Sequence, residues 1–184
     1  MTFIRSALSV GAIALCVASN ANALCDDTAS FMDLMCQRMA KTWTEGSSDL
    51  YVPFYTHHIR SAYSKEKIDS FEENTWGVGY GRSRYIDGNW DGWYGMGFRD
   101  SHDDFEPIVG YAHQWMWGAQ EGVHAGLGYT AFVTARSDTF HYIPFPGVLP
   151  IASINYNKLS VNTTYVPGGE GNGNIFFFWS RLNF

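Results

Sequence analysis

Residues 98 to 107 read FRDSHDDFEP and set an acid, a hydroxyl and an imidazole side by side as Asp100, Ser101 and His102. These are the residue types of acyl transfer, in which a base takes a proton from an attacking hydroxyl and donors hold the oxyanion. Adjacency argues against a triad built from these three, because consecutive residues of extended backbone point to opposite sides and rarely converge on one reacting atom. The same composition also suits a polar turn, where acidic and hydroxyl side chains bond to nearby backbone. A second pair of imidazoles, His57 and His58, lies in the segment YVPFYTHHIR. As neighbours on extended backbone they face opposite ways. The six histidines of the chain show no ligand spacing such as HxxxH with a nearby acid, so no metal is expected; no other cofactor is expected either.

The elements that must position these residues begin after a leader. MTFIRSALSVGAIALCVASNANA carries Arg5, an apolar run from Ala7 to Ala18 and a small-x-small site at Ala21-Asn22-Ala23, the pattern of a cleaved export signal over residues 1–23. Its apolar run is too short to span a bilayer comfortably. Removal of 23 of the 184 residues leaves 161, with 12 − 1 = 11 basic and 18 acidic residues, a formal charge of −7 that makes nucleic acid an unsuitable partner. The mature chain keeps Cys25 and Cys36, which export leaves free to pair or to remain thiols. Aromatic residues are 17% and charged residues only 16% of the sequence, against about a quarter charged in ordinary soluble domains. An exported, aromatic-rich chain with no apolar stretch long enough for a membrane helix suggests a membrane β-barrel.

Phe31, Met35, Met39 and Trp43 recur every four residues and predict an amphipathic helix over about 27–45, with Gly46 closing it. It can pack on its own protein or lie at a membrane interface, and the pattern does not separate the two. The period then falls to two. Val123, Ala125, Leu127, Tyr129, Ala131 and Val133 share one apolar face opposite His124, Gly126, Gly128, Thr130 and Thr134. Trp76, Val78 and Tyr80 oppose Gly77, Gly79 and Gly81, and Trp90, Tyr94, Met96 and Phe98 oppose Asp91, Gly95 and Gly97, small faces that suit a tight or ligand-holding interior. Strands are expected near 49–63, 75–86, 89–100, 104–117, 123–136, 147–156, 159–166 and 173–184, an even set of about ten residues each. The expected architecture is all-β: an eight-stranded antiparallel transmembrane β-barrel over about 49–184 with an N-terminal amphipathic α-helix. Pro53, Pro150 and Pro167 each remove a ladder donor.

Several motifs in order resemble the lipid A palmitoyltransferases of Gram-negative outer membranes, the PagP family: YVPFYTHHIRSAYSKEK, GNWDGWYGMGFRDS, FEPIVGY, HAGLGYTAFVTAR, YIPFPGVLPIAS, TTYVPG and the closing aromatic strand, from about Met35 to Phe184. The resemblance implies a tilted eight-stranded barrel in the outer membrane that moves an acyl chain, usually palmitoyl, from the sn-1 position of a phospholipid donor to a lipid A acceptor. It implies catalytic roles for His58, Asp100 and Ser101, with His102 as a loop residue and Arg136 structural. His58 is the natural base; Asp100 either orients it or binds polar substrate; Ser101 is either a nucleophile or, as we favour, a donor to the oxyanion. Pro53, Pro150 and Pro167 match prolines that weaken strand pairing for lateral lipid entry, and Thr75 stands where the family has a further proline. Ala112 occupies the position of the acyl-pocket floor, often glycine in the family, and its methyl group implies a chain slightly shorter than palmitoyl or a compensating change elsewhere in the floor. The terminal Phe184 matches an aromatic signal read by the outer-membrane assembly machinery, and a monomer is expected. The competing expectation is a non-enzymatic outer-membrane barrel, structural, adhesive or a carrier of a hydrophobic ligand.

Overall fold

Period-two segments can satisfy their backbone in a bilayer only by closing on themselves, and here they do. The computed structural model describes residues 31–119, 121–169 and 172–184, so the leader and Cys25 lie outside the described residues. Eight strands, β1 (Ser47–His58), β2 (Gly77–Ile86), β3 (Asn89–Arg99), β4 (Phe105–Gly118), β5 (Val123–Thr134), β6 (Phe145–Tyr156), β7 (Leu159–Val166) and β8 (Ile175–Asn183), pair antiparallel in sequence order, and β1 pairs β8 to close the barrel. Short turns such as Asp87–Gly88, with both residues at positive φ, join strands at one end. The connections 59–76, 100–104, 135–144 and 167–174 lie at the other. Longer loops mark the outward end of outer-membrane barrels, so β1 runs outward and ends at His58.

Trp76, Val78, Tyr80, Phe105, Val109, Trp115, Trp117, Val123, Leu127 and Val133 are exposed on the outer wall, as their alternation predicts. β3 departs from expectation. Its large apolar set, Trp90, Tyr94, Met96 and Phe98, is buried in the barrel core with Tyr51, Ala112, Ile151, Phe177 and Trp179, and the opposite face holds Asp91 and Trp93. The reason is the helix α1 (Phe31–Glu45), which covers the outer wall at β2 and β3 and so relieves β3 of facing lipid.

The contacts of α1 explain its seat. The Trp93 indole donates to Met39 O (2.9 Å), and Arg38 pairs with the fully buried Asp91 (2.5 Å). The other oxygen of Asp91 accepts from Tyr111 and lies 3.0 Å from His113 Nδ1. Leu34 and Trp43 stay exposed on the far face, so the helix packs on the barrel and offers apolar side chains outward. Cys36 is disulfide-bonded.

The barrel interior has two layers. Toward the short-turn end, Arg181 donates to Asp49 (3.1 Å), Ser160 (3.1 Å) and Ser83 (3.3 Å), and its guanidinium lies 4.7 Å from the Trp90 ring centroid. Gln114, Ser153 and Asn155 continue this buried polar layer. Above it, Tyr51, Trp90 and Ala112 begin the apolar layer that extends to Phe98 and Phe177.

Candidate active site

β1 ends at His58, five residues short of the extended run expected to 63. A 3-10 turn (Arg60–Ala62) and a short helix α2 (Lys65–Ile68), capped by the Ser64 hydroxyl accepting from Lys67 N, turn the chain back over the barrel mouth. That return delivers Phe71 and Glu73 to His58. The His58 ring, almost fully buried, stacks on Phe71 with centroids 4.1 Å apart and planes at 7°, and meets Tyr63 edge-on at 5.5 Å. One carboxylate oxygen of Glu73, Oε1, accepts from the His58 backbone N–H and lies 3.2 Å from its Nδ1. The other, Oε2, accepts from Arg60 (2.7 Å) and the Tyr55 hydroxyl (3.1 Å). Burial alone would push the Glu73 carboxyl up, but these donors outweigh it and hold the group at about 2. Sequence reasoning missed Glu73. It lies 15 residues from His58 in a connection without periodicity, and only the fold-back of that connection joins them.

Asp100 does a turn acid's work. Its Oδ1 accepts from His102 N (2.9 Å) and Asp104 N (3.0 Å), which closes the 100–104 turn, where Asp103 has φ 65°. Its Oδ2 takes Arg136 Nη2 at 3.4 Å. Arg136 also reaches Glu106 (3.3 Å) and Asp138 (2.9 Å); burial opposes its charge, yet these three acids raise its pKa. The turn and the first connection are stitched together by Glu72 N donating to Ser101 O (3.0 Å) and by Phe71 meeting the His102 ring edge-on at 5.4 Å. His102 itself is nearly half exposed. Thus His58, Asp100 and Ser101 come to one end of the barrel, but the carboxylate on His58 is that of Glu73; Asp100 instead holds the Ser101 turn and Arg136.

Beneath the turn a cavity opens into the barrel, lined at its rim by Asp100, Ser101, Glu106 and Arg136 and below by Phe98, Ile108, Phe132 and Phe177. The Ser101 side chain is buried at this rim and makes no hydrogen bond among the described residues. No serine–histidine nucleophile pair is therefore assembled. Ala112 faces inward, is fully buried, and stands opposite Gly92 and Thr130 at the lower end of the apolar layer. Among the described residues, no group of three or more His, Cys, Asp or Glu is placed to hold a metal ion.

The wall is incompletely paired near the mouth. β1 pairs β2 only from Ser47 to Tyr51, and Pro53 follows, where the register with β8 also shifts. β6 pairs β7 only from Ile151 to Tyr156, so Phe145–Pro150 has no partner on β7, which stops at Val166 before Pro167. Above Tyr51 the first gap is crossed by Thr56 N donating to Glu73 O (2.9 Å) and by the paired hydroxyls of Thr56 and Thr75 (2.9 Å). The second is bounded below by Thr164 Oγ1 donating to Pro150 O (2.7 Å).

The profile of a family described as antimicrobial peptide resistance and lipid A acylation protein PagP matches residues 38–181. The chain belongs to the PagP family. Its relatives include the lipid A acyltransferase PagP of Methylobacillus flagellatus, 59% identical over 89% of this chain and 90% of the relative. The enzyme of that name from Bordetella parapertussis is 47% identical over 87% and 88%, and that of Serratia proteamaculans 51% identical over 79% and 76%. Among solved structures, neisserial surface protein A aligns at a TM-score of 0.45 and 8% identity, over 74% of this chain and 95% of that one. The PagP match spans His58, Glu73, Asp100, Ser101, Ala112 and Arg136.

Proposed function

We propose that this outer-membrane barrel transfers an acyl chain of palmitoyl class from the sn-1 position of a phospholipid to a hydroxyl of lipid A, acting as a monomer. Membership of the PagP family makes it a lipid A acyltransferase. The observation that carries the finer reading is an apolar cavity inside the barrel with Ser101, Asp100 and Arg136 at its rim and His58 at the same end. Its depth fits. Seven residues along β3 separate Gly92, opposite Ala112, from Arg99 at the strand end; at about 3.3 Å per residue and a strand tilt of about 40°, that is about 18 Å, with the Asp100–Ser101 turn beyond it. An extended sixteen-carbon chain with bonds of about 1.5 Å spans about 19 Å. Below it, the Arg181–Asp49 layer would leave a longer chain against buried polar groups. The monomer reading is supported by a barrel that closes on itself through β1 and β8, which leaves no strand unpartnered along its whole length.

In this reading the two gaps, beside Pro53 and between Pro150 and Pro167, admit lipids sideways from the bilayer. The acceptor hydroxyl attacks the donor ester carbonyl while His58 Nε2 takes its proton. Ser101 Oγ–H donates to the oxyanion, and the Arg136 guanidinium beside it adds positive charge. Collapse of the tetrahedral intermediate breaks the donor's ester C–O bond, and the imidazolium returns the proton to the leaving glycerol oxygen. The direct route suits a Ser101 that has no base on its hydroxyl. Mass spectrometry of lipid A from cells with and without the gene tests the activity: an added acyl chain present only with the gene is expected, and an unchanged lipid A would reject the reading. With the purified protein, His58→Ala and Ser101→Ala are expected to lose nearly all transfer, by about 10²-fold or more, while His102→Ala keeps it.

A further inference from the structure

We infer that Glu73 is the positioning residue of the active site, the carboxylate that fixes the tautomer of His58 and steadies its imidazolium. The inference rests on the reading of His58 as the base. Its geometric ground is that Oε1 of Glu73 meets both His58 N–H and His58 Nδ1 at 3.2 Å, so backbone and ring are held by one atom. An ionised carboxylate only accepts hydrogen bonds, so the nitrogen facing it must be the one that carries the proton. In the neutral ring this leaves the lone pair on Nε2, the nitrogen turned away from Glu73 and free to take the acceptor's proton.

The rest of the pocket immobilises both partners. Phe71 stacks on the imidazole and Tyr63 closes its edge, while Arg60 and the Tyr55 hydroxyl occupy the second carboxylate oxygen. Glu73 is thereby kept ionised and aimed. The titratable and charged groups around the pair are Tyr55, His57 and Arg60 from β1 and its end, Tyr63 from the following turn, and His102 across Phe71. Asp100 is not among the partners of His58; its two oxygens are occupied by its own turn and Arg136. The carboxylate needed to stabilise a charged histidine therefore comes from the connection after β1, while the acid next to Ser101 serves the oxyanion side.

The arrangement makes a specific kinetic expectation. When Nε2 takes the proton, the new positive charge forms beside Glu73, so the carboxylate lowers the energy of that state and raises the affinity of the ring for its proton. Glu73→Gln is expected to lower kcat for phospholipid to lipid A transfer by about 10²-fold or more with little change in KM. It is also expected to move the acidic limb of the kcat/KM profile to lower pH, which loss of packing alone would not do. Glu73→Asp, which keeps the charge, is expected to recover part of the rate. The protein is purified, folded in detergent micelles, and assayed beside His58→Ala. A folded Glu73→Gln protein with wild-type kcat and an unmoved limb, beside an inactive His58→Ala, would reject Glu73 alone; an active His58→Ala would reject the base assignment beneath it. Nitrogen-15 NMR of the wild-type imidazole provides a test that no variant's folding can spoil. A proton on Nδ1 at neutral pH is expected, and the Nε2–H tautomer would overturn the inference.

Discussion

His58 and Ala112 owe their positions to opposite kinds of constraint. His58 is held by polar contacts from a connection that must fold back correctly, and Glu73 is the centre of those contacts. The folded Glu73 carboxyl sits at about 2, below its ordinary 4.5. A depressed carboxyl contributes stability that is fully present above its unfolded value and is lost as pH falls through the folded one. The wild-type barrel in detergent should therefore lose stability as pH falls from 4.5 toward 2, and Glu73→Gln should show a weaker dependence in that window, measured by unfolding midpoints at stepped pH. Ala112 is held by close packing in the apolar layer; if that layer is the acyl floor, its methyl group displaces about one methylene of ligand, and overpacking costs about 1–3 kcal/mol. Ala112→Gly should shift transfer toward longer saturated chains, read from rates across a phospholipid series; an identical profile in the two proteins would remove Ala112 from the floor.

The elements divide into a wall, a clamp and a gap. β6 is ordinary against β5 along its whole length, yet toward β7 it is unpaired from Phe145 to Pro150. If that gap is a lipid entrance, cysteines placed at Leu149 and Val166 and joined by a reducible linker should stop phospholipid turnover, and reduction should restore it. Unbridged protein given the same reductant provides the control, and full turnover in a verified bridged sample would exclude this entrance. The clamp is α1, whose Arg38 supplies a cationic partner to a carboxylate with no exposure to water. Arg38→Met removes that partner but leaves Tyr111 and His113 on Asp91, so the cost should be about 1–3 kcal/mol in chemical unfolding. Replacing Asp91 by Leu in the same protein should recover part of that loss, because the buried charge itself is then gone.

At the scale of the whole molecule, an apolar exterior surrounds an apolar upper interior, a polar lower interior and a polar rim. A chain that must be apolar on both faces of its strands cannot also be soluble, which is why the outward Trp, Tyr, Phe and Val residues belong in the outer membrane. Phe184 donates its backbone N–H to Ser48 O (2.9 Å) beside the start of β1, while its ring stays exposed. An exposed aromatic ring contributes little to packing, so the expectation that the assembly machinery reads it can be tested apart from folding. Deletion of Phe184 should lower the amount of folded protein in the outer membrane. The same variant refolded in detergent should have wild-type specific activity; a matching loss in detergent would make the residue structural.

Much of this was legible in the residues themselves. Period-two alternation fixes strands to within a few residues because each slip would turn a lipid-facing side chain inward, and the spacing of turns fixes their number. The long motifs around His58, Asp100 and Ser101 carried the family and its chemistry. Alternation could not say which face of β3 points inward, since Trp90 and Trp93 stand on opposite faces; the decision belongs to α1, which shields the Asp91 and Trp93 side. Nor could it show that Glu73 meets His58, that Asp100 serves its own turn and Arg136, or that the ladder is open between β6 and β7. Those facts depend on where a connection without periodicity folds back and on the register between strands, and only tertiary closure determines either.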